Sequence, residues 1–162
     1  MIGMAGRGTP ATVLLDRQRV AHRVHTYAHG SGAAYGPEAA ELLGLDPARV
    51  FKTLVADAEG VGLVCAVVPV LMMLDLKALA DAVGTRRVRM ADPAAAERAT
   101  GYVLGGISPL GQKKQLPVVI DASALAFERV HVSAGRRGLE LSLAPMDLVK
   151  LARGRTGPIA RA

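Results

Sequence analysis

The sequence predicts an α+β domain in which a mixed β-sheet, flanked by short helices, curls into a barrel. About seven short strand patterns are interleaved with about five short helical patterns. The helical segments are too irregularly spaced for repeated βαβ units, which excludes a regular α/β fold. The chain has 162 residues, 51% of them hydrophobic, and a mean hydropathy of +0.28. These values are those of one globular domain with a core of its own.

The helices are predicted mainly from their capping residues. Thr9 precedes Pro10 and so marks a helix start, because Thr is a good N-cap and Pro suits the first helical position. Asp75 and Asp92 also stand where N-caps stand, and Gly84 ends the helix that Asp75 begins. The predicted helical segments are, in order, 10–19, 37–43, a single turn after 46, 75–84, 93–100 and 145–152.

The strands are predicted from short apolar or alternating runs. Residues 50–57 and 61–68 flank the tripeptide Ala-Glu-Gly, which is the best hairpin signal in the chain. A tight turn over 134–138 leads into the last strand. The other predicted strands are 21–27, 86–90, 118–120, 129–133 and 139–143.

The domain plan is simple. Residues 1–8 are predicted to be a flexible lead, 9–152 one domain, and 153–162 a basic tail with three Arg that frays. The apolar run over 61–74 is too short to cross a membrane and Pro69 interrupts it. The N-terminus lacks the apolar segment of a signal peptide, so we expect a cytoplasmic protein with no membrane partner.

Composition narrows the function classes. The net charge of +6 and the pI of about 10.0 favour a polyanionic partner such as nucleic acid, although a basic surface that only aids solubility explains them equally well. Aromatic residues make up 3% of the chain, which predicts weak base stacking. Cys65 is the only cysteine and lies in an apolar strand, so disulfides and Cys-based zinc sites are excluded and a buried thiol is expected.

The most distinctive segment, 100–114, reads Thr-Gly-Tyr-Val-Leu-Gly-Gly-Ile-Ser-Pro-Leu-Gly-Gln-Lys-Lys. Backbone amides exposed by glycine, next to Lys113 and Lys114, suit a phosphate or a developing oxyanion. The alternative is an ordinary surface loop. A P-loop is excluded because Gln112 stands at the lysine position and a helix, not a strand, precedes the segment.

Two further features carry possible chemistry. Lys52 lies inside an otherwise apolar strand and points either to solvent or into a cleft, where it would be a fixed positive charge. Ser133 and Glu140 bracket the turn that carries Arg136 and Arg137, which is either a solvated hairpin or a clamp on a nucleic-acid backbone.

The sequence gives little support for a metal site or for a serine hydrolase. His22 and His25 are three residues apart on a strand, so they point to opposite faces and do not easily share a metal. Ser108 lacks the Gly-x-Ser-x-Gly elbow of serine hydrolases. The sequence therefore offers no obvious protein nucleophile.

These segments occur in the order seen in the YbaK/EbsC family, which the chain resembles from about Thr9 to Leu151, most specifically in Gly-Gly-Ile-Ser-Pro-Leu-Gly-Gln-Lys-Lys. The resemblance is closest to the Cys-tRNA(Pro) deacylase branch, which is related to the editing domain of bacterial prolyl-tRNA synthetase. It implies a freestanding editing enzyme that acts on mischarged tRNA(Pro) at its acceptor end, with prolyl-tRNA synthetase as a possible partner. It implies no cofactor, no metal and no DNA partner.

The resemblance also implies site residues and a mechanism in which the substrate's own thiol attacks its ester. Tyr35 stands where Phe is usual and Glu140 where Asp is usual, which bears on amino-acid selectivity. The alternatives are a deacylase for another small amino acid such as Ala, and a non-catalytic binder of tRNA ends. The implied catalytic residues are Lys52, Gly105 and Ser133; the implied substrate-binding residues are Tyr27, Tyr35, Thr53, Gly106, Ile107, Ser108 and Glu140; the implied tRNA-binding residues are Lys113, Lys114, Arg136 and Arg137.

Overall fold

The computed structural model describes residues 8–28 and 35–162, with the backbone alone at 35–37. Most of the predicted lead and of the predicted loop over 28–34, and the side chain of Tyr35, lie outside the described part. The five α-helices of the described part are α1 (Pro10–Arg17), α2 (Tyr35–Leu42), α3 (Leu76–Val83), α4 (Pro93–Thr100) and α5 (Pro145–Ala152), and two short 3-10 helices cover Pro47–Arg49 and Ala122–Ala126. The ten described strands are β1 (His22–Thr26), β2 (Phe51–Ala58), β3 (Gly62–Pro69), β4 (Met73–Leu74), β5 (Val88–Met90), β6 (Val118–Asp121), β7 (Val130–Arg136), β8 (Leu139–Leu143), β9 (Arg155–Gly157) and β10 (Ala160–Arg161).

The largest sheet has five strands in the order β5-β2-β3-β6-β9. The predicted hairpin forms its centre, because β2 and β3 pair antiparallel from Phe51 opposite Pro69 to Ala58 opposite Gly62. β6 and β9 add in parallel, so the sheet is mixed.

A second sheet has three antiparallel strands in the order β1-β8-β7. A bulge between Ser133 and Arg136 interrupts the β7–β8 ladder just before the turn. A parallel bridge between Val50 and His131 connects this sheet to the start of β2. The prediction of an α+β fold with mixed strands is therefore confirmed, but the described strands form three sheets instead of one closed barrel.

Local sequence explains the helices. Thr9 caps α1 in a capping box, and the carboxylates of Asp75 and Asp92 accept hydrogen bonds from the third residues of α3 and α4. Gly84 and Gly101 end α3 and α4 with φ of +78° and +79°, a conformation that glycine adopts without strain.

The main core lies on one face of the three-stranded sheet. Alternate residues of β7 and β8 point into it, as the pleat of a strand requires. Phe51 and Val55 of β2 join the same cluster, and the other face of β2 packs through Ala56 and Ala58 in a second cluster under α3. The residues that the three-stranded sheet contributes to the core are Val130, Val132, Ala134, Leu139, Leu141 and Leu143.

The end of the chain corrects one prediction. Residues 153–162 do not fray: β9 pairs with β6, and β10 pairs with β4. One oxygen of the buried Asp121 carboxylate accepts from the backbone amides of Ile159 and Ala160, at 3.0 and 2.9 Å, and the Ile159 side chain is fully buried. These contacts join residues 38 and 39 apart in sequence, so local composition does not reveal them.

Candidate functional site

The three-stranded sheet has a polar face opposite its core face. Residues directly opposite one another on antiparallel strands share a face. Ser133 of β7 lies opposite Glu140 of β8, which lies opposite His25 of β1. Since the neighbours of Glu140 point into the core, these three polar side chains belong to the other face.

Lys52 extends this polar row. Val50 bridges His131 in parallel, and Lys52 and Ser133 each lie two residues further along. The Lys52 side chain is half-buried, and that burial lowers the pKa of its ammonium group. Among the described residues it forms no ion pair or hydrogen bond. A partly desolvated cation without a counter-charge favours an anionic ligand.

Glu140 has the largest pKa shift in this row of side chains. Its residue is 5% exposed, and its Oε2 atom is buried with no hydrogen-bond partner among the described residues. Burial raises the pKa of the carboxyl from 4.5 to about 8. At pH 7 the group is therefore mostly a neutral carboxylic acid, which donates a hydrogen bond as well as accepting one.

Tyr27 and Ser133 lie on either side of Glu140. The Tyr27 amide donates to the carbonyl of Gly138 at 3.0 Å. The pKa of the Tyr27 phenol is raised, chiefly by burial and also by the charge of Glu140, which places the two side chains near each other. The Ser133 hydroxyl accepts from the Gly135 amide at 3.1 Å, so its orientation is fixed by the turn.

Thr53 does not join Lys52. Successive residues of a strand point to opposite faces, and Thr53 shares its face with the core residues Phe51 and Val55. Its hydroxyl is nonetheless buried with no hydrogen-bond partner in the described part of the chain. A substrate contact from Thr53 would therefore come from the other side of β2.

The glycine-rich segment packs against the turn between β7 and β8. A side chain on Gly106 would place its Cβ 2.5 Å from the Cα of Arg136, so glycine is required for this approach. Gly105 next to it has φ of +89°, and within the described residues its amide donates no hydrogen bond. The segment thus lies against the end of β7, next to a backbone amide that donates no hydrogen bond among the described residues.

The rest of the segment is held by its own hydrogen bonds. The Tyr102 hydroxyl donates to the Leu110 carbonyl at 2.6 Å, and the fully buried Ser108 hydroxyl accepts from the Leu110 amide at 3.2 Å. The Gln112 side-chain amide donates to the Ser108 carbonyl and accepts from the Leu116 amide, both at 3.0 Å. Ile107 is buried in the core. Ser108 therefore has a structural role here and is poorly placed as a nucleophile.

The predicted tRNA-binding residues divide into two groups. Lys113, Lys114 and Arg136 are exposed. The Arg137 guanidinium instead pairs with the Glu38 carboxylate of α2, with Nη2–Oε2 and Nε–Oε2 distances of 2.8 and 3.1 Å. Both of these side chains are largely buried, so Arg137 anchors α2 to the turn.

Sequence reasoning did not bring His25 and His131 together. They are 106 residues apart, yet their ring centroids are 5.6 Å apart on the polar face. Their only signal was the side-chain alternation of two strands whose pairing was unknown. No group of three or more His, Cys, Asp or Glu in the described residues is arranged to hold a metal ion.

Cys65 is a buried structural thiol, as the sequence predicts. It is 0% exposed, and burial raises the pKa of the thiol to about 11. The Gln112 amide donates to its sulfur at 3.1 Å. The reactive thiolate is therefore scarce at neutral pH.

Comparison with known proteins identifies the family. The family model of the aminoacyl-tRNA editing domain matches residues 31–151. The chain belongs to the aminoacyl-tRNA editing domain family. It is 36% identical over 151 residues to EbsC of Enterococcus faecalis, named as a proposed Cys-tRNA(Pro)/Cys-tRNA(Cys) deacylase, covering 93% of this chain and 92% of that protein.

Solved structures share the fold of this editing domain. A proposed trans-editing enzyme for prolyl tRNA synthetase has a TM-score of 0.82 and 23% identity, covering 96% of this chain and 99% of that one. A hypothetical protein of known crystal structure has a TM-score of 0.84 and 22% identity, covering 94% and 100%. At these identities the similarity establishes the fold alone. No described helix of the editing domain is long and apolar enough to cross a membrane.

Proposed function

We propose that this editing domain is a trans-editing deacylase that removes cysteine from mischarged Cys-tRNA(Pro). The observation that carries the proposal is the row in which Ser133 lies between the partly desolvated Lys52 and the buried Glu140, whose Oε2 atom has no hydrogen-bond partner among the described residues. The name of the relative that is 36% identical supports cysteine as the amino acid.

The protein side chains favour a reaction in which the substrate supplies the nucleophile. Ser108 is buried in internal hydrogen bonds, and Cys65 has a raised thiol pKa of about 11. The Ser133 hydroxyl already accepts a hydrogen bond from the turn, and no imidazole forms a hydrogen bond with it in the described structure. A site of this kind contributes mainly by orienting groups and stabilising charge.

In the proposed reaction the cysteine thiol of the substrate attacks its own ester carbonyl. The new bond joins sulfur to the carbonyl carbon, and the bond from that carbon to the ribose oxygen breaks. The thiol proton passes to the ribose oxygen, so the products are a cysteine thiolactone and the free tRNA 3′ end. Water then opens the thiolactone to cysteine.

Each residue has a role in this scheme. Lys52 contacts the acceptor end, and the Gly105 amide faces the oxyanion that forms on the carbonyl. Ser133 orients the aminoacyl group. Glu140 donates a hydrogen bond as a neutral acid, because an ionised carboxylate at this place would repel the oxyanion. Tyr27 contacts the substrate beside Glu140.

The remaining predicted residues are given supporting roles. Lys113, Lys114 and Arg136 are exposed and suit RNA phosphates, and Arg137 holds the turn through Glu38. We place the acceptor end of tRNA(Pro) as the substrate and prolyl-tRNA synthetase as the protein that supplies it. The reaction uses no metal or cofactor and takes place in the cytoplasm.

The decisive experiment is a deacylation time course with the purified protein and three substrates. These are tRNA(Pro) charged with Cys, with S-methyl-Cys and with Ala, each compared with its spontaneous hydrolysis. We expect loss of Cys alone, with the thiolactone trapped as an early product, because S-methylation removes the nucleophile.

The other outcomes separate the alternatives. Cleavage of S-methyl-Cys as fast as Cys would replace thiol attack by attack of a protein-held water. Preference for Ala would assign a different amino acid to the same reaction class. Cleavage of none of the three, with retained binding of uncharged tRNA, would leave a binder of tRNA ends.

A further inference from the structure

Three arginines and two histidines converge at the far end of the polar face, away from the β7–β8 turn. The rings of His25 and His131 have centroids 5.6 Å apart, and the Nε2 atom of His25 lies 3.1 Å from the Ser142 hydroxyl. Arg23 lies opposite Ser142 in the β1–β8 register. The arginine–histidine cluster comprises Arg23, His25, Arg49, Arg129 and His131.

Two buried nitrogen atoms of this cluster have no hydrogen-bond partner in the described structure. They are Nδ1 of His131 and Nη1 of Arg129. The His131 residue is 8% exposed, so it is more than nine-tenths buried. Leaving buried polar groups unpaired destabilises the folded protein, and the effect is larger for a charged group. Such groups are expected to be paired in the working complex.

The cluster carries positive charge without a counter-charge. Arg23, Arg49 and Arg129 form no ion pair in the described part of the chain, and the segments 1–7 and 29–34 contain no Asp or Glu. On the same face Glu140 is mostly neutral at pH 7, because burial raises its pKa to about 8. Excess positive charge favours an anion and opposes a metal cation.

The lowered pKa values of the two histidines reflect the same excess of positive charge. Burial, the neighbouring His25 and the guanidinium groups of Arg49 and Arg129 lower the pKa of His131 to about 4. Burial together with Arg23 and Arg129 also lowers the pKa of His25. Both imidazoles are thus neutral at pH 7, and a neutral imidazole with Nδ1 protonated is a hydrogen-bond donor.

The cluster lies one step along the sheet from the proposed reaction centre. His131 and Ser142 form the row next to Ser133 and Glu140 on the same two strands. Two residues of a strand span about 7 Å. This separation is comparable with the span of one nucleotide, from its phosphate to the hydroxyl that carries the amino acid.

We propose that the arginine–histidine cluster binds the phosphodiester on the 5′ side of the nucleotide that carries the amino acid. This inference rests on the proposed function, because it takes the aminoacyl ester to lie at Lys52 and Ser133. Arg129 and the neutral His131 donate to the phosphate oxygens from the buried side. Arg23 and Arg49 neutralise its charge from the exposed side, with the Arg49 guanidinium held 5.2 Å above the Phe127 ring.

The test is a double-mutant cycle between protein and RNA. The probe is an uncharged hairpin RNA with the single-stranded 3′ end of tRNA(Pro), made with one neutral methylphosphonate at each 3′-terminal linkage in turn. Affinity is measured at fixed salt, because salt weakens all phosphate contacts. The proteins are the wild type, Arg129→Gln, and Arg89→Gln, which removes one exposed charge on β5 instead.

We expect Arg129→Gln to weaken binding of the all-phosphate RNA about tenfold, and Arg89→Gln to weaken it much less. The last linkage alone should couple to Arg129: once it is neutral, Arg129→Gln should cost nothing further. Equal losses at every linkage, or equal losses in both variants, would overturn the proposal. If a thermal melt shows that Arg129→Gln unfolds, His131→Phe, which keeps a ring but removes the donor, serves as the second variant and should couple to the last linkage in the same way.

This experiment distinguishes failure of the proposed phosphate site from failure of the proposed function. If no charged tRNA is cleaved but the coupling at the last linkage persists, the phosphate site stands and the proposed function falls. If Cys-tRNA(Pro) is cleaved but no linkage couples to Arg129 or His131, the proposed function stands and the phosphate site falls.

Discussion

The glycine-rich segment and the polar face of the three-stranded sheet treat their buried polar groups in opposite ways. In the segment, Tyr102, Ser108 and Gln112 each find a hydrogen-bond partner. On the polar face, Glu140 and His131 each keep a buried atom without a partner in the described residues. The buried side chains of the first region are paired within the protein, whereas those of the second leave buried atoms that a ligand would pair in the proposed function.

This difference changes how the sequence motif is interpreted. In the glycine-rich segment, which is the most distinctive stretch of the chain, most of the specific residues stabilise the segment itself or allow it to pack against the β7–β8 turn. Among the described residues the amide of Gly105, which has φ of +89°, donates no hydrogen bond and is left for a ligand in the proposed function. The specific motif therefore led to the family resemblance, whereas the proposed function assigns the chemistry mainly to strand residues that the sequence alone makes inconspicuous.

The largest expected effect is the loss of activity in Lys52→Ala. Lys52 has no partner in the described structure, so its removal should leave the melting temperature unchanged. Deacylation of Cys-tRNA(Pro) should fall on the order of a hundredfold in kcat/KM, the cost of losing one preorganised charge at a reaction centre. Steady-state kinetics and a thermal melt on the same preparation check both statements.

The matched control is Lys77→Ala on α3, where the side chain is exposed and the same charge is lost. If Lys52→Ala were as active as this control, the polar face would not be the reaction centre. The contrast with the glycine-rich segment would then be one of stability only.

The second prediction concerns the pH dependence of folding that Glu140 causes. Its folded pKa of about 8 exceeds its usual value of 4.5, so the folded state binds the proton more tightly. The free energy of unfolding should therefore fall as pH rises from about 4.5 to 8, by at most about 1.4 kcal/mol per unit. In Glu140→Gln this contribution is absent.

The measurement is urea unfolding of both proteins at several pH values. His25 and His131, whose pKa values are lowered, contribute a change of the opposite sign below pH 6.5, but they are present in both proteins and cancel in the difference. Glu140→Gln should match the wild type near pH 5 and exceed it increasingly up to pH 8. A constant difference over this range would mean that Glu140 is ionised and paired.

Much of the fold could be predicted because its signals are local. The caps at Thr9, Asp75 and Asp92 fix three helix starts, and α5 has the predicted bounds. The strands at the end of the chain could not be predicted, because they depend on Asp121 of a distant strand.

The candidate site was predictable only in part, because some of its contacts depend on how distant strands pair. Lys52, Ser133 and Glu140 were recognised through the family resemblance, and strand pairing places them in one row. Predicting the contact of His25 with His131 would have required knowing that β1 and β7 both flank β8, and no local sequence pattern indicates this strand order. The separation of Thr53 from Lys52 follows from strand alternation, but only the core contacts of β2 show which face is which.

The smallest expected effect belongs to the glycine-rich segment. Gln112→Ala removes contacts to the Ser108 carbonyl, the Leu116 amide and the Cys65 sulfur, and so leaves buried groups unpaired. We expect a loss of about 1–3 kcal/mol in the free energy of unfolding, with deacylation per folded molecule unchanged below the transition. Gln115→Ala, three residues further on, should lose less, because its amide is exposed and makes only two longer contacts at 3.2 and 3.3 Å. Urea unfolding and activity assays of the two variants check this prediction. A Gln112→Ala protein that is as stable as Gln115→Ala but inactive would contradict it. Such a result would show that the segment takes part in the reaction directly and that its internal hydrogen bonds matter less for stability.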